Sequence, residues 1–329
     1  MKSPYTGKEM KRIYEQRIWN FRGEKFNYMH QSWLCEDSGE QFTDDEGDTA
    51  GYTQATNQYR TKYGIPFTDE IINTRRRYGL SASKMSLILG IGVNQYRLYE
   101  HGEVPNVSNG RMIRSVMNPH VMLDMVESSR NELDEPEYKK IRDRITELTA
   151  CEKEQELEQH EIARVFSHVR GAENGYAAIS LDRLKNILLY ILGKCGDVWY
   201  TKMNKLLFYT DFLAYREHGM AISGLSYRAI KFGPVPDRWD KVYSEFPEIE
   251  QEFRQAGNFI GNILKSDIPA DTSLFTEDEL KILDTVCSRF GGNSSREISR
   301  VSHDEHAWLD YYQHPGTIPF ESAFSLKSI

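Results

Sequence analysis

Residues 81–102, SASKMSLILGIGVNQYRLYEHG, decide the fold of the front half of the chain. Ser81 is an N-cap residue ahead of Met85, Ile88 and Leu89, apolar positions at helical spacing. Gly90 closes that helix. A second helix is expected from about Gly92 to Glu100, with Gly102 as its terminator. Helix, tight glycine turn and short helix is the spacing of a helix-turn-helix, whose second helix lies in the DNA major groove. Its first outward residues are Asn94, Gln95 and Arg97. Asn and Gln side chains pair with two atoms of adenine, and Arg with two of guanine. Ile91, Val93, Tyr96 and Tyr99 supply the apolar back.

The flanking residues extend this module to 65–125. Thr68 reads as an N-cap with Asp69 and Glu70 in the first turn, where the helix dipole favours acids. Arg75, Arg76 and Arg77 fall in the last turn before Gly79. With Lys84 they are candidates for phosphate contacts, which position a protein on DNA without specifying sequence. A further helix follows Ser108, with Met112, Ile113 and Val116, and stops at Pro119. The chain of 329 residues carries a net charge of −8, but residues 66–118 hold seven Lys/Arg against four Asp/Glu. One basic module therefore sits among acidic ones, the distribution expected of a DNA-binding unit.

Three other segments separate. Residues 1–64 alternate aromatic and polar positions around Gly23 and predict a small β module, while 45–62 are polar and carry no clear pattern. Residues 126–175 predict a helical connector with Ile141, Ile145 and Leu148 on one face. Residues 176–329 predict a large, mainly helical domain. Leu184, Ile187, Leu188, Ile191 and Leu192 mark one helix; Met203, Leu206, Leu207, Phe208, Phe212 and Leu213 mark another. A short strand at 225–230 leads into Gly233-Pro234-Val235-Pro236, read as a rigid turn because Pro removes donors and fixes φ. Thr276 and Glu279 form a capping-box pattern. The predicted class is mainly α and multidomain, with a short β element in the C-terminal domain.

Composition excludes several classes. No apolar run approaches the ~20 residues of a membrane span, and the four scattered cysteines, Cys35, Cys151, Cys195 and Cys287, are no disulfide framework and suit the cytoplasm. No phosphate-binding or dinucleotide glycine loop is present. His303-Asp304-Glu305-His306 spaces its histidines three apart, not the four of a zinc-protease helix. The expectation is a non-enzymatic regulator without a cofactor.

Residues 2–117 resemble the MqsA-type (YgiT) antitoxin family, a zinc ribbon followed by a helix-turn-helix. The resemblance is carried by Phe21-Arg22-Gly23-Glu24-Lys25 and by the run from Gly92 to Gly102. It implies base reading by Asn94; the family's reading Arg falls on Leu98, beside Arg97 here. The family's two Cys-x-x-Cys pairs fall on Ser3 and Thr6, and on Cys35 and Ser38. One thiolate is left where structural zinc needs about four N or S ligands, so no metal is expected. Packing of Tyr5, Ile13, Trp19, Phe21, Phe26, Tyr28, Trp33, Leu34 and Phe42 is expected to hold the ribbon instead, with the acidic run Glu36 to Asp48 as a solvated loop.

Residues 181–312 resemble the Panacea (SocA-type, phage-associated) domain. The carrying segments are Lys205-Leu206-Leu207-Phe208-Tyr209-Thr210-Asp211-Phe212, Ile222-Ser223-Gly224-Leu225-Ser226-Tyr227 and Phe232-Gly233-Pro234-Val235-Pro236. The resemblance implies a helical, non-catalytic domain that neutralises a toxin by direct binding, or in one known case a protease adaptor. Asp211 is read as structural. Tyr215, Arg216, Tyr227 and Gly233, Pro234, Val235 and Pro236 are the expected toxin surface. The expected partners are a cognate protein toxin, double-stranded operator DNA and a second copy of the chain, without a membrane. The rival readings are a protease adaptor and a repressor with a ligand-sensing C-terminal domain. Residues 176–329 are expected to act without the front half.

Overall fold

The structure, a computed structural model, describes residues 1–150, 152–256, 259–314 and 316–329. Cys151 lies outside the described residues. In chain order, the front carries β1 (Lys11–Phe21), β2 (Glu24–Leu34), β3 (Gln41–Phe42) and α1 (Asp45–Tyr63). Then come α2 (Thr68–Tyr78), α3 (Ala82–Ile88), α4 (Gln95–Glu100), α5 (Val107–Ser115), α6 (Pro119–Ser128), α7 (Glu135–Ala150) and α8 (Glu152–Val165). The C-terminal region has α9 (Leu181–Cys195), β4 (Val198–Trp199), α10 (Tyr200–His218), β5 (Tyr227–Ile230), β6 (Gly233–Pro236), β7 (Glu250–Ala256) and β8 (Phe259–Lys265). It ends in α11 (Glu277–Phe290), α12 (Ser295–His303) and α13 (His306–Leu309). The chain is mainly α and multidomain, with a small N-terminal antiparallel sheet and a helical C-terminal region.

These elements form two compact units, one of residues 56–160 and one that joins residues 1–55 to 161–329. The four segments read from the sequence are thus regrouped: the β module shares a unit with the C-terminal domain. In that unit β1 and β2 form a long hairpin, Lys11 opposite Leu34 and Phe21 opposite Glu24. The turn is Arg22-Gly23, with φ of 52° and 82°, the doubly left-handed geometry whose twist matches the strands. Residues 45–63, patternless in the sequence, are helical. Asp44 accepts from Gly47 N at 2.8 Å and from Trp33 Nε1 at 2.5 Å. Asp45, Glu46 and Asp48 occupy the first turn, so part of the acidic run starts a helix along its dipole rather than forming a solvated loop. Gly51 lets α1 lie on the sheet, since a Cβ there would come within 2.6 Å of the Tyr28 ring. Tyr52 meets Trp19 and Phe21 edge-on. Tyr5, expected in this core, is exposed.

The C-terminal part is built around α10, whose residues from Lys202 to Tyr215 are all buried. Its apolar residues occupy every face, as in a core helix, and Lys202, Asn204, Lys205, Thr210 and Asp211 are buried with them. Tyr227 meets Phe208 and Phe212 edge-on, Phe212 stacks on Phe320, and Tyr209 stacks on Phe290. The predicted turn at Gly233-Pro234-Val235-Pro236 is instead β6, the return strand of a hairpin with β5, and the turn is Lys231-Phe232. Asp237 N donates to Ser226 O, so by alternation Gly233 and Val235 face β5. The two prolines take the positions whose missing N–H faces away. Thr276 and Glu279 form the capping box on α11.

Residues 56–160 enclose a separate apolar core of Ile71, Tyr78, Met85, Ile88, Tyr96, Tyr99, Ile113, Val126, Tyr138, Ile141 and Ile145.

Candidate nucleic-acid interface and partner surface

In the helical unit, Ser81 caps α3 by accepting from Lys84 N, and Gly90 turns the chain with φ 62°. The next helix is shorter than predicted: Asn94 is its N-cap and Gln95 its first residue. Tyr96 and Tyr99 are buried, Tyr96 donating to Ile71 O at 2.8 Å and its N–H reaching Ser86 Oγ at 3.1 Å. This holds α4 against α2 and α3. Asn94, Arg97 and Leu98 are exposed and Gln95 half-exposed, so these side chains share the open N-terminal end of α4. Val93, expected at the apolar back, is 77% exposed.

The basic residues divide. Arg76 is exposed. Arg75 donates from Nε to Glu100 at 2.6 Å and from Nη1 to Leu80 O at 2.9 Å, joining α2 to α4. Arg77 donates to Met117 O at 3.2 Å, and Lys84 pairs with Glu137 at 2.7 Å. Arg75, Arg77 and Lys84 therefore bind their own fold. The cap of α2 is Phe67, whose N–H is taken by Glu70 at 2.8 Å, and Thr68 is the first helical residue. Sequence reasoning passed over Arg111, which is exposed in the neighbouring helix α5.

In the C-terminal part the residues expected to face a toxin are internal. Tyr215 and Tyr227 are 4% and 0% exposed, and Gly233 to Pro236 are buried throughout. These residues do not form a docking surface. Tyr227 donates to Asp211 Oδ2 at 2.5 Å, and the Asp211 carboxylate also accepts from Ile222 N at 2.9 Å, Ser223 N at 2.8 Å and the Ser223 hydroxyl. Burial pushes the Asp211 pKa up, and the bonds from Ser223 and Tyr227 oppose it. Asp211 is thus the staple that fastens the Ile-Ser-Gly segment and β5 to α10. Arg216 donates to Ile329 O at 2.8 Å and pairs with Glu217 at 3.0 Å.

The exposed residues lie just outside this buried set. Phe232, at the tip of the β5–β6 hairpin, is 63% exposed; Leu309 and Tyr312 are 51% and 37%. Trp308 stacks on Tyr312 at 4.6 Å and on His303 at 4.1 Å, and its Nε1 donates to Ile230 O at 2.7 Å. Trp308 thus ties α13 to the β5–β6 hairpin, and the exposed apolar side chains of this region are Phe232, Leu309 and Tyr312. No sequence signal separated Phe232 from the motif that follows it. Glu305 of the His-Asp-Glu-His run is buried and accepts from Tyr209 and from Lys327 N, while His306 is exposed beside Asp310.

At the base of the N-terminal hairpin the four ribbon positions come together. Thr6 Oγ1 lies 3.6 Å from Cys35 Sγ, and hydrogen bonds from Ser3, Ser38 and Thr6 draw the Cys35 thiol down to about 6. Among the described residues, no group of three His, Cys, Asp or Glu side chains is placed to hold a metal ion. No described helix is long and apolar enough to cross a membrane.

Residues 203–309 match the family model described as the antitoxin SocA-like, Panacea domain. The matched range runs from within α10 to the end of α13, and so contains the Asp211 staple, the β5–β6 hairpin and the exposed Phe232 and Leu309. The C-terminal part of the chain is therefore similar to an antitoxin domain. Neither the curated proteins nor the solved structures give a match.

Proposed function

We propose that the chain is a type II antitoxin that neutralises a cognate protein toxin by direct binding and represses its own operon as a DNA-bound homodimer. The match of residues 203–309 to an antitoxin domain supports the first half of this reading. The toxin docks on the surface made by Phe232, Trp308, Leu309 and Tyr312. Aromatic side chains on a braced backbone are the residue types that dominate interface energies, and the Asp211 staple supplies the brace. Neutralisation is then occlusion of the toxin, with no catalytic group required.

The open end of α4 supports the second half. Asn94, Gln95 and Arg97 are residue types that pair with base edges and lie at the start of a short helix with their side chains at least partly exposed. Arg76 is exposed and makes no ion pair among the described residues, so it is free to meet phosphate. A dimer follows from operator symmetry, because paired half-sites favour two-fold proteins.

Two measurements on the full chain test this. Co-expression with the product of the adjacent gene, followed by affinity capture, is expected to recover a stoichiometric complex. A gel shift with the upstream promoter fragment is expected to show specific binding. If the adjacent product stays unbound, the antitoxin reading fails; if it is bound but lost only where a cellular protease is active, direct neutralisation gives way to the adaptor reading. Failure to shift the promoter at low salt removes the repressor half.

A further inference from the structure

Helices α9 and α11 run together with a register that is visible in their polar contacts. Tyr190 donates to Asp284 Oδ1 at 2.8 Å, and Lys194 Nζ lies 2.7 Å from the same oxygen. Advancing along both helices from these contacts brings Cys195, the last residue of α9, to Cys287, about one turn beyond Asp284. Both are free thiols, Cys287 buried and Cys195 half-exposed. Gly291 lines the same place. A Cβ built on it would lie 3.0 Å from Cys195 Sγ and 2.4 Å from Cys287 O, so a side chain here would displace the thiol. Lys202 Nζ donates to Gly291 O at 2.5 Å, which sets a cation at the edge of the pair.

We propose that Cys195 and Cys287 are a modification site for hydroperoxides, at which Cys195 is oxidised and Cys287 resolves it to an intramolecular disulfide. The proposal is independent of the toxin and DNA readings.

The environment divides the roles. Contact with Cys287 comes first in drawing the Cys195 thiol down to about 7, and the Lys202 charge acts the same way against the opposing effect of burial. Cys287 is pushed up, first by Cys195, then by burial and Asp284. The accessible thiol is therefore the one that ionises, and thiolate character with access is what selects a cysteine for oxidation.

In the first step the Cys195 thiolate sulfur attacks one oxygen of the hydroperoxide. A sulfur–oxygen bond forms, the oxygen–oxygen bond breaks, and the leaving alkoxide or hydroxide departs as alcohol or water with a proton. Cys195 is then a sulfenic acid. In the second step the Cys287 sulfur attacks the Cys195 sulfur. The disulfide forms, the sulfur–oxygen bond breaks, and water leaves with the proton of the Cys287 thiol. Two thiols lose two electrons together and the peroxide gains them.

The test treats the full-length chain with hydrogen peroxide, counts free thiols after denaturation, and maps peptides by mass spectrometry. The expected result is loss of two thiols per chain and a cross-linked peptide pair that contains Cys195 and Cys287, reversed by a dithiol reductant. The rate should rise as pH passes about 7, where Cys195 ionises. Cys287→Ser should leave Cys195 as a sulfenic acid that dimedone traps, and Cys195→Ser should leave Cys287 reduced. Circular dichroism of both variants checks that the fold is kept. Oxidation of Cys35 or Cys151 with Cys195 and Cys287 still reduced overturns the proposal. So does Cys195 sulfenic acid that accumulates in the parent chain without a cross-link.

Discussion

Arg12 and Glu217, 205 positions apart, meet in an ion pair in which Arg12 Nη1 lies 2.8 Å from one carboxylate oxygen and 2.7 Å from the other. Both side chains are more than two-thirds buried. Beside them Tyr14 meets Phe324 edge-on at 5.3 Å, and a Cβ at Gly219 would come within 2.5 Å of Ala50 O. The N-terminal hairpin is therefore part of the same packed unit as the C-terminal helices.

Arg12→Ala should destabilise this unit by about 1–2 kcal/mol, the scale of a partly screened charged hydrogen bond. Urea unfolding of the full chain and the variant measures it. A fragment of residues 176–329 should be poorly folded, contrary to what the sequence alone suggests. A variant that melts with the parent, or a cooperative melt of the fragment, contradicts the single packed unit.

Tyr227→Phe and Phe232→Asp separate support from contact. Tyr227→Phe removes a donor from the buried Asp211 carboxylate and should cost about 1–3 kcal/mol of stability, with toxin binding unchanged at temperatures where the variant is folded. Phe232→Asp alters an exposed tip, so its melt should stay within about 0.5 kcal/mol of the parent. Its affinity for the toxin should fall at least tenfold. Calorimetric melts and titration of the partner decide the matter, and an unaffected Phe232→Asp affinity removes the hairpin tip from the interface.

In DNA binding, Asn94→Ala should cost about 1–3 kcal/mol and relax preference at one base pair. Arg76→Ala should weaken binding to all sequences alike and lower the salt slope by about one. Arg75→Ala should act instead on stability, because Arg75 holds Glu100 and Leu80 O. Fluorescence titrations at several salt concentrations distinguish the three; equal losses of specificity from all of them refute the division.

Lys205 gives a pH test. Its Nζ is buried without a hydrogen-bond partner among the described residues, and burial lowers its pKa from 10.5 to about 7. Between those values the unfolded chain holds a proton that the folded chain does not, so stability rises with pH across the window from about 7 to 10.5 and is flat outside it. Lys205→Met, close in volume, should stabilise by about 3–5 kcal/mol near pH 6. The gain should shrink to near zero by pH 10.5. Guanidinium melts across this range give the difference; a gain independent of pH contradicts a charge-linked cost.

The sequence made the two short helices on either side of Gly90 legible because their cues are local: Ser81 as a cap, Gly90 as a turn, Tyr96 and Tyr99 at helical spacing. The C-terminal motifs were equally legible as backbone requirements, but their exposure was not. Tyr227 and the Gly-Pro-Val-Pro stretch looked like an anchor and a turn, and the structure uses them as core and as a strand. A proline-rich pattern constrains φ and donors, and says nothing about which face meets solvent. The docking of the N-terminal hairpin was hidden for another reason. Arg12 and Glu217 each read as an ordinary surface charge until the fold joins them.

The central claim is direct capture of a toxin by the C-terminal surface, and growth rescue measures it. Cells that express the adjacent toxin receive the full chain, the Phe232→Asp chain or the Asn94→Ala chain, in a parent strain and in one that lacks its major cytoplasmic proteases. The account predicts rescue by the full chain and by Asn94→Ala in both strains, and little rescue by Phe232→Asp at equal protein level. Rescue by Phe232→Asp equal to that of the full chain, or rescue that vanishes without the proteases, contradicts it.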